Sequence, residues 1–262
     1  MQTVDKAMTL LGLFGRLQPE IGLSELGRLA GFDKAATRRF LVAMAKHGFI
    51  EQNHENRKYR LGSAFLHYAR IREATMPLAS IVQPILDELA RETGETAHVS
   101  MLTGNSLSTI ATAEPQRATR ANVDLFEPLP LFATASGLAC LAFAEKSFVE
   151  KYVGQVELKK VTPNTVTSKK SFRAIIAQTF EKGTSRAERS FGEDVIGTAT
   201  PIFDWSQNAI GAVAVAAVAT RFDAKLEALV EALVLRAAIA ITEATGGAVH
   251  KNVLRAHIGE PN

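Results

Sequence analysis

Apolar residues recur at helical spacing from the first turns of the chain, where Val4, Ala7, Met8, Leu11 and Phe14 form one stripe. Gln18-Pro19-Glu20 interrupts it. Ser24 fits the N-cap of a short helix over residues 25–30 that Gly31 stops, and Asp33 fits the cap of a second over 34–47 that Gly48 ends. On a wheel of the second helix, Ala36, Phe40 and Met44 share the inner face, with Thr37 and Leu41 at its edge. Ala35, Arg38, Arg39, Val42 and Lys46 share the opposite face. A hairpin follows over 49–61, in which Tyr59 and Leu61 alternate with Lys58 and Arg60.

Beyond the hairpin, Phe65, Tyr68 and Ala69 keep helical spacing, and Met76-Pro77 marks a boundary because the residue before proline avoids the helical region. Residues 83–93 predict an amphipathic helix ending at Gly94, with Pro84 tolerable only near its start. Strand-like runs at 96–102 and 107–113 flank a Gly104-Asn105 turn, and runs at 195–203 and 209–217 flank a second turn. Helices fit 135–144, 169–181 and about 224–245. Strands with helices packed outside them predict an α+β domain. The organisation expected is a helix-turn-helix and hairpin over 1–62, a linker helix over 63–78, an α+β domain over 79–250 and a loose tail over 251–262.

Composition changes this picture in three ways. With 47% hydrophobic and 22% charged residues in 262, the chain is globular rather than disordered. Its one cysteine, Cys140, excludes a disulfide framework and a multi-cysteine metal site, and its apolar neighbours predict a buried thiol. No apolar run reaches membrane-spanning length and the start lacks a leader pattern, so a soluble cytoplasmic protein is expected, with no membrane contact. Charge is uneven: the net is +3, yet residues 1–62 hold ten Lys/Arg against six Asp/Glu. A basic helix behind a glycine turn, followed by a basic hairpin, points to a winged helix-turn-helix that binds double-stranded DNA. Lys34, Ala35, Arg38 and Arg39 are expected to face DNA, Lys58 and Arg60 to support them, and Thr37 to contribute from the edge.

Catalysis has weak footing. His98 and Ser136 could be paired with Asp124 or Asp194, but no nucleophile elbow, zinc motif or phosphate loop accompanies them. A strand histidine reads as a core or pocket residue, and no enzyme activity, cofactor or metal is expected.

The segments Leu23-Ser24-Glu25-Leu26, 31–41, 48–51 and Tyr59-Arg60-Leu61-Gly62 resemble the IclR family of bacterial transcription regulators, and 92–98, 129–137 and 161–167 extend the likeness in order. The resemblance implies a GAF-like effector-binding C-terminal domain, a homodimer or tetramer on a palindromic operator, and control of a catabolic operon. It also implies an effector site at Leu131, Phe132, Ala135, Ser136, Ala187, Glu188, Gly197, Ala214 and Ala216. Members that sense small acids place polar side chains at several of these positions, where this chain has Ala or Gly, so an aromatic or apolar effector is expected. Two readings stand beside it: a register shift across 184–194, and a domain that dimerises without a ligand. The rival class is a GAF-like hydrolase or ligand-binding module that keeps an N-terminal interaction domain.

Overall fold

The computed structural model describes residues 2–15, 18–75 and 78–259, which form two units divided between Pro77 and Leu78. In the first, α1 (Gln2–Leu11), α2 (Leu23–Ala30) and α3 (Lys34–Lys46) precede a hairpin of β1 (Ile50–Gln52) and β2 (Tyr59–Leu61), then α4 (Ala64–Thr75). Leu10, Ile21, Leu26, Leu41 and Ile50 are fully or almost fully buried among these elements. Ile21 also adds a third strand segment to the hairpin, exchanging backbone hydrogen bonds with Tyr59 at 2.9 and 2.8 Å.

Some local expectations change. Gly22, not Ser24, occupies the cap of α2. Asp33 caps α3 as expected, its carboxylate accepting from Ala36 N at 2.7 Å. Gly31 adopts φ 70°, a left-handed turn that places the two helices against each other. The Met76-Pro77 boundary lies outside the described residues, between the ends of α4 and α5.

The second unit opens with α5 (Leu78–Thr93), which begins before the residues that pattern alone assigned and holds Pro84 in its interior. Burial of Val82, Leu86 and Leu89 outweighs that local defect. There follow β3 (Thr96–Thr103), β4 (Ser106–Ala113), β5 (Leu129–Pro130), α6 (Ala135–Phe143), α7 (Lys146–Gln155), α8 (Lys169–Lys182), β6 (Ser185–Glu188), β7 (Val195–Phe203), β8 (Ala209–Val218), α9 (Ala224–Ala244) and α10 (Lys251–Ile258). The strands form one antiparallel sheet in the order β5-β4-β3-β8-β7-β6.

Period-two alternation divides the side chains between the faces of this sheet. Val99, Val213 and Val215 pack with Leu86 of α5 and Val230 and Val234 of α9. Ala199, Ala212 and Ala214 pack on the other side with Leu138 and Leu141 of α6 and Phe172 of α8. Alanines on that second face let α6 approach closely. At the end of the central strands β3 and β8, Glu95, 1% exposed, is clamped by Arg221 through contacts of 2.9 and 2.8 Å.

The expected tail over 251–262 is corrected for its described residues, because α10 docks there. Val253 is fully buried, and Asn252 donates to the Phe180 carbonyl at 2.8 Å. Val249, Val253 and Ala256 share a stripe that packs beside Phe203 and Leu235, which a composition-based reading of a polar terminus overlooks. Among the described residues, no helix is long and apolar enough to cross a membrane.

Candidate functional site

Two surfaces carry functional geometry, one in each unit. In the first, α3 buries Thr37, Leu41 and Met44 and exposes Lys34, Ala35, Arg38, Arg39, Val42, Ala43 and Lys46. All seven of these exposed residues, with Leu23, line one shallow basic depression. The buried stripe is rotated by about one residue from the wheel. Thr37 is therefore corrected: it is fully buried and donates its hydroxyl to the Asp33 carbonyl at 2.8 Å. The reason is close helix crossing. A Cβ on Gly27 of α2 would lie 3.1 Å from Thr37 Oγ1, so the threonine fills the crossing point and cannot reach a ligand.

The hairpin is anchored rather than free. Asn53 and Asn56 donate side-chain hydrogen bonds to the Glu20 carboxylate at 3.2 and 2.7 Å, and these bonds hold its pKa below the ordinary glutamate range. Arg60 also turns to carboxylates of its own unit, 3.3 Å from Glu51 and 3.6 Å from Glu20. That leaves Lys58 and Arg57 as the exposed cations toward the hairpin tip, with Arg57 held at φ 61°. On α4, Phe65 and Tyr68 pack against the Phe49 ring, with centroids 5.4 and 5.6 Å apart. The linker helix is thus braced on the winged unit, and Leu66 points outward at 65% exposure.

In the second unit, a cavity of about 400 Å³ opens between the start of α6, the sheet and the segment before β5. Ala187 pairs with Gly197, Gly197 with Ala216, and Ala214 with His98, so adjacent strands carry small side chains across its floor. Ala135 and Ser136 complete that floor from α6, whose first turn is capped by Thr134 accepting from Gly137 N at 3.1 Å. Gly137 is required here, because a Cβ would come within 2.3 Å of Leu131 Cα.

Three of the expected effector positions face elsewhere. Glu188 points to the opposite side of β6, where its carboxylate meets Arg186 at 3.0 Å, because neighbours along a strand alternate faces. Leu131 is fully buried in the core under α6, and Phe132 lines a separate depression with Tyr152. Their places are taken by residues that spacing did not single out: Arg120, Asn122, Glu127, Phe191 and others from the irregular segments around the mouth.

His98 and Ser136 do come together, with Nε2 and Oγ 3.3 Å apart, and both are almost wholly buried. Burial pushes the imidazole pKa down to about 4, so the ring is neutral near pH 7. Asp124 and Asp194 line the same cavity, yet His98 Nδ1 has no hydrogen-bond partner. A base without a carboxylate on its second nitrogen lacks the orienting contact of a catalytic triad. Cys140 is fully buried in α6 and its thiol pKa is pushed up by desolvation, so it is no nucleophile.

Known proteins resemble both units. Residues 3–54 match the family described as IclR helix-turn-helix domain, and residues 73–243 match that described as Bacterial transcriptional regulator IclR C-terminal. The HTH-type transcriptional regulator XynR of Escherichia coli is 26% identical over 94% of this chain and 98% of its own length. The Transcriptional repressor IclR of the same organism is 27% identical over 94% and 91%. A crystal structure of a putative IclR transcriptional regulator from Silicibacter sp. TM1040 superposes with a TM-score of 0.89 at 37% identity, covering 95% of this chain and 98% of that one. An IclR homolog from Microbacterium hydrocarbonoxydans complexed with 4-hydroxybenzoate shares the fold at a TM-score of 0.75 and 22% identity, over 93% and 98% of the two chains.

Proposed function

Since the chain belongs to the IclR family of bacterial transcription regulators and is a DNA-binding regulator, we propose that it reads a palindromic operator as a homodimer or tetramer under control of a small molecule held in the second unit. The observation that carries the reading is α3, which presents Lys34, Arg38 and Arg39 together while Thr37, Leu41 and Met44 hold it in the fold. An arginine on such a face takes guanine edges or phosphates, and small Ala35 allows close approach to bases. One such helix spans too few base pairs for selectivity, so two half-sites and a dimer are needed. The outward Leu66 of α4 offers an apolar position for that pairing.

The cavity supports the effector part. Its volume of about 400 Å³ lies within the range of small-molecule sites, about 300–1,000 Å³. Its floor of Ala135, Ala187, Gly197, Ala214 and Ala216 suits a flat apolar body, with His98 and Ser136 meeting one polar end. The Microbacterium homolog complexed with 4-hydroxybenzoate is a relative whose ligand is of this shape. The operon controlled is, in this reading, a catabolic one whose substrate or intermediate is the effector.

The test begins with selection of duplexes from a random pool by the purified chain, followed by titration of the selected and a scrambled duplex. A palindromic consensus is expected. Arg38→Ala is expected to lose most of the selectivity, about 1–3 kcal/mol for a bidentate contact, whereas Lys58→Ala weakens both duplexes alike. Unchanged selectivity in Arg38→Ala removes the base-reading role.

A further inference from the structure

Among the cations of the basic depression on α3 lies a valine that the fold does not use. Val42 is 58% exposed, and the apolar core of this unit is built by Leu26, Leu41 and Met44 instead. Helix preference does not favour it either, since a β-branched residue on a solvent-facing helical position is poorer than alanine or lysine. A single exposed valine is ordinary on a protein surface, but this one stands within the surface that meets DNA.

Its neighbours let it approach that partner closely. Val42 follows Arg39 by three residues and Arg38 by four, so the three share one side of α3. Ala43 beside it and Ala35 two turns earlier are both exposed in the same depression, and both are too short to hold a docked surface away. Arg38, Arg39 and Lys46 are long and flexible, and reach past the valine to guanine edges and phosphates.

A short apolar side chain has little to recognise in the major groove. Guanine, adenine and cytosine present hydrogen-bonding atoms there, and thymine adds one apolar group, its 5-methyl. Valine pressed onto the first three leaves a polar base atom dehydrated without a partner, whereas on thymine it buries a methyl group. We infer that Val42 reads the 5-methyl group of a thymine in each half-site, beside the guanine contacted by Arg38 or Arg39. The three or four residues between them span about 4.5–6 Å of helix axis, which with the reach of the arginine places the thymine within about three base pairs of that guanine. The inference rests on the operator reading above and assigns one base of the operator to one side chain.

The test uses the full chain and the duplex selected from a random pool. The guanine is the one at which Arg38→Ala or Arg39→Ala relaxes selectivity. Each thymine of the consensus is replaced in turn by deoxyuridine, which removes the 5-methyl group and leaves base pairing intact. Fluorescence anisotropy titrations are expected to find one thymine per half-site near that guanine whose replacement weakens binding about fourfold, as burial of one methyl-sized group predicts. Replacing both symmetry-related thymines should weaken binding roughly fifteenfold. In Val42→Ala, the thymine and deoxyuridine duplexes should bind within about a factor of two of each other. Affinity for a scrambled duplex should be unchanged by this exposed substitution, because the cations hold the phosphates.

If no thymine responds to loss of its methyl group, the assignment is overturned, while the consensus itself upholds the operator reading. A loss that persists undiminished in Val42→Ala gives the methyl contact to another residue and likewise overturns it. Equal weakening of selected and scrambled duplexes in that variant also overturns it, because a base reader spares the scrambled one. A pool that yields no consensus overturns both readings.

Discussion

Acidification should destabilise the second unit through one buried side chain. His98 lies on β3 under α6, 6% exposed, and burial lowers its pKa from 6.5 to about 4. Above pH 6.5 the ring is neutral in the folded and unfolded chain alike, and it contributes no pH dependence. Between pH 6.5 and 4 the unfolded chain takes up a proton that the folded one refuses, so stability falls as the pH falls. Below pH 4 both states are protonated and the loss levels off. At about 1.4 kcal/mol per unit, a fall of about 2.5 units corresponds to a loss of about 3 kcal/mol. Urea unfolding followed by far-ultraviolet circular dichroism between pH 7 and 4 measures it in the wild type and in His98→Gln. Glutamine keeps hydrogen-bonding capacity without titrating, and the groups common to both proteins cancel in the difference. The stability difference between the two proteins should change by about 3 kcal/mol across this window. Parallel pH curves for the two proteins would refute the reasoning, because His98 would then titrate equally in both states.

Other perturbations reach separate parts of the molecule. Arg221→Ala leaves Glu95 buried with only the Val218 amide at 3.2 Å, and should cost about 3 kcal/mol in denaturant unfolding. Adding Glu95→Gln to that variant should restore part of the loss. Gly27→Val places its Cβ 3.0 Å from the Phe32 carbonyl oxygen and 3.1 Å from the Thr37 hydroxyl, and should abolish selective DNA binding while the melting of the second unit is retained. Light scattering should give at least twice the 28.3 kDa chain mass, and Leu66→Asp on α4 should lower it toward that of one chain.

Local patterns determine the elements whose signals lie within a few residues. Asp33 before an apolar repeat, Gly31 at φ 70° and the alternation of Tyr59 with its basic neighbours identify the winged helix, and the exposed Lys34, Arg38 and Arg39 follow from helical periodicity alone. The long strands β7 and β8 and the helix α9 were equally legible, because alternation and a sustained stripe survive any tertiary context. What periodicity left open was decided by contacts between distant segments. Thr37 sits at the edge of the wheel, and only the close crossing of α2 at Gly27 turns it inward. Glu188 and Ala187 are adjacent in the chain, yet the pairing of Ala187 with Gly197 sends one to the cavity and the other to Arg186. α10 has too few residues to announce itself and is ordered by a niche beside Phe180 and Phe203. The charged mouth comes from irregular segments far apart in sequence, Arg120 to Glu127 and the stretch around Asp194. Such segments have no period to read, and their charges meet only because α6 lies across the sheet against β4, β6, β7 and β8.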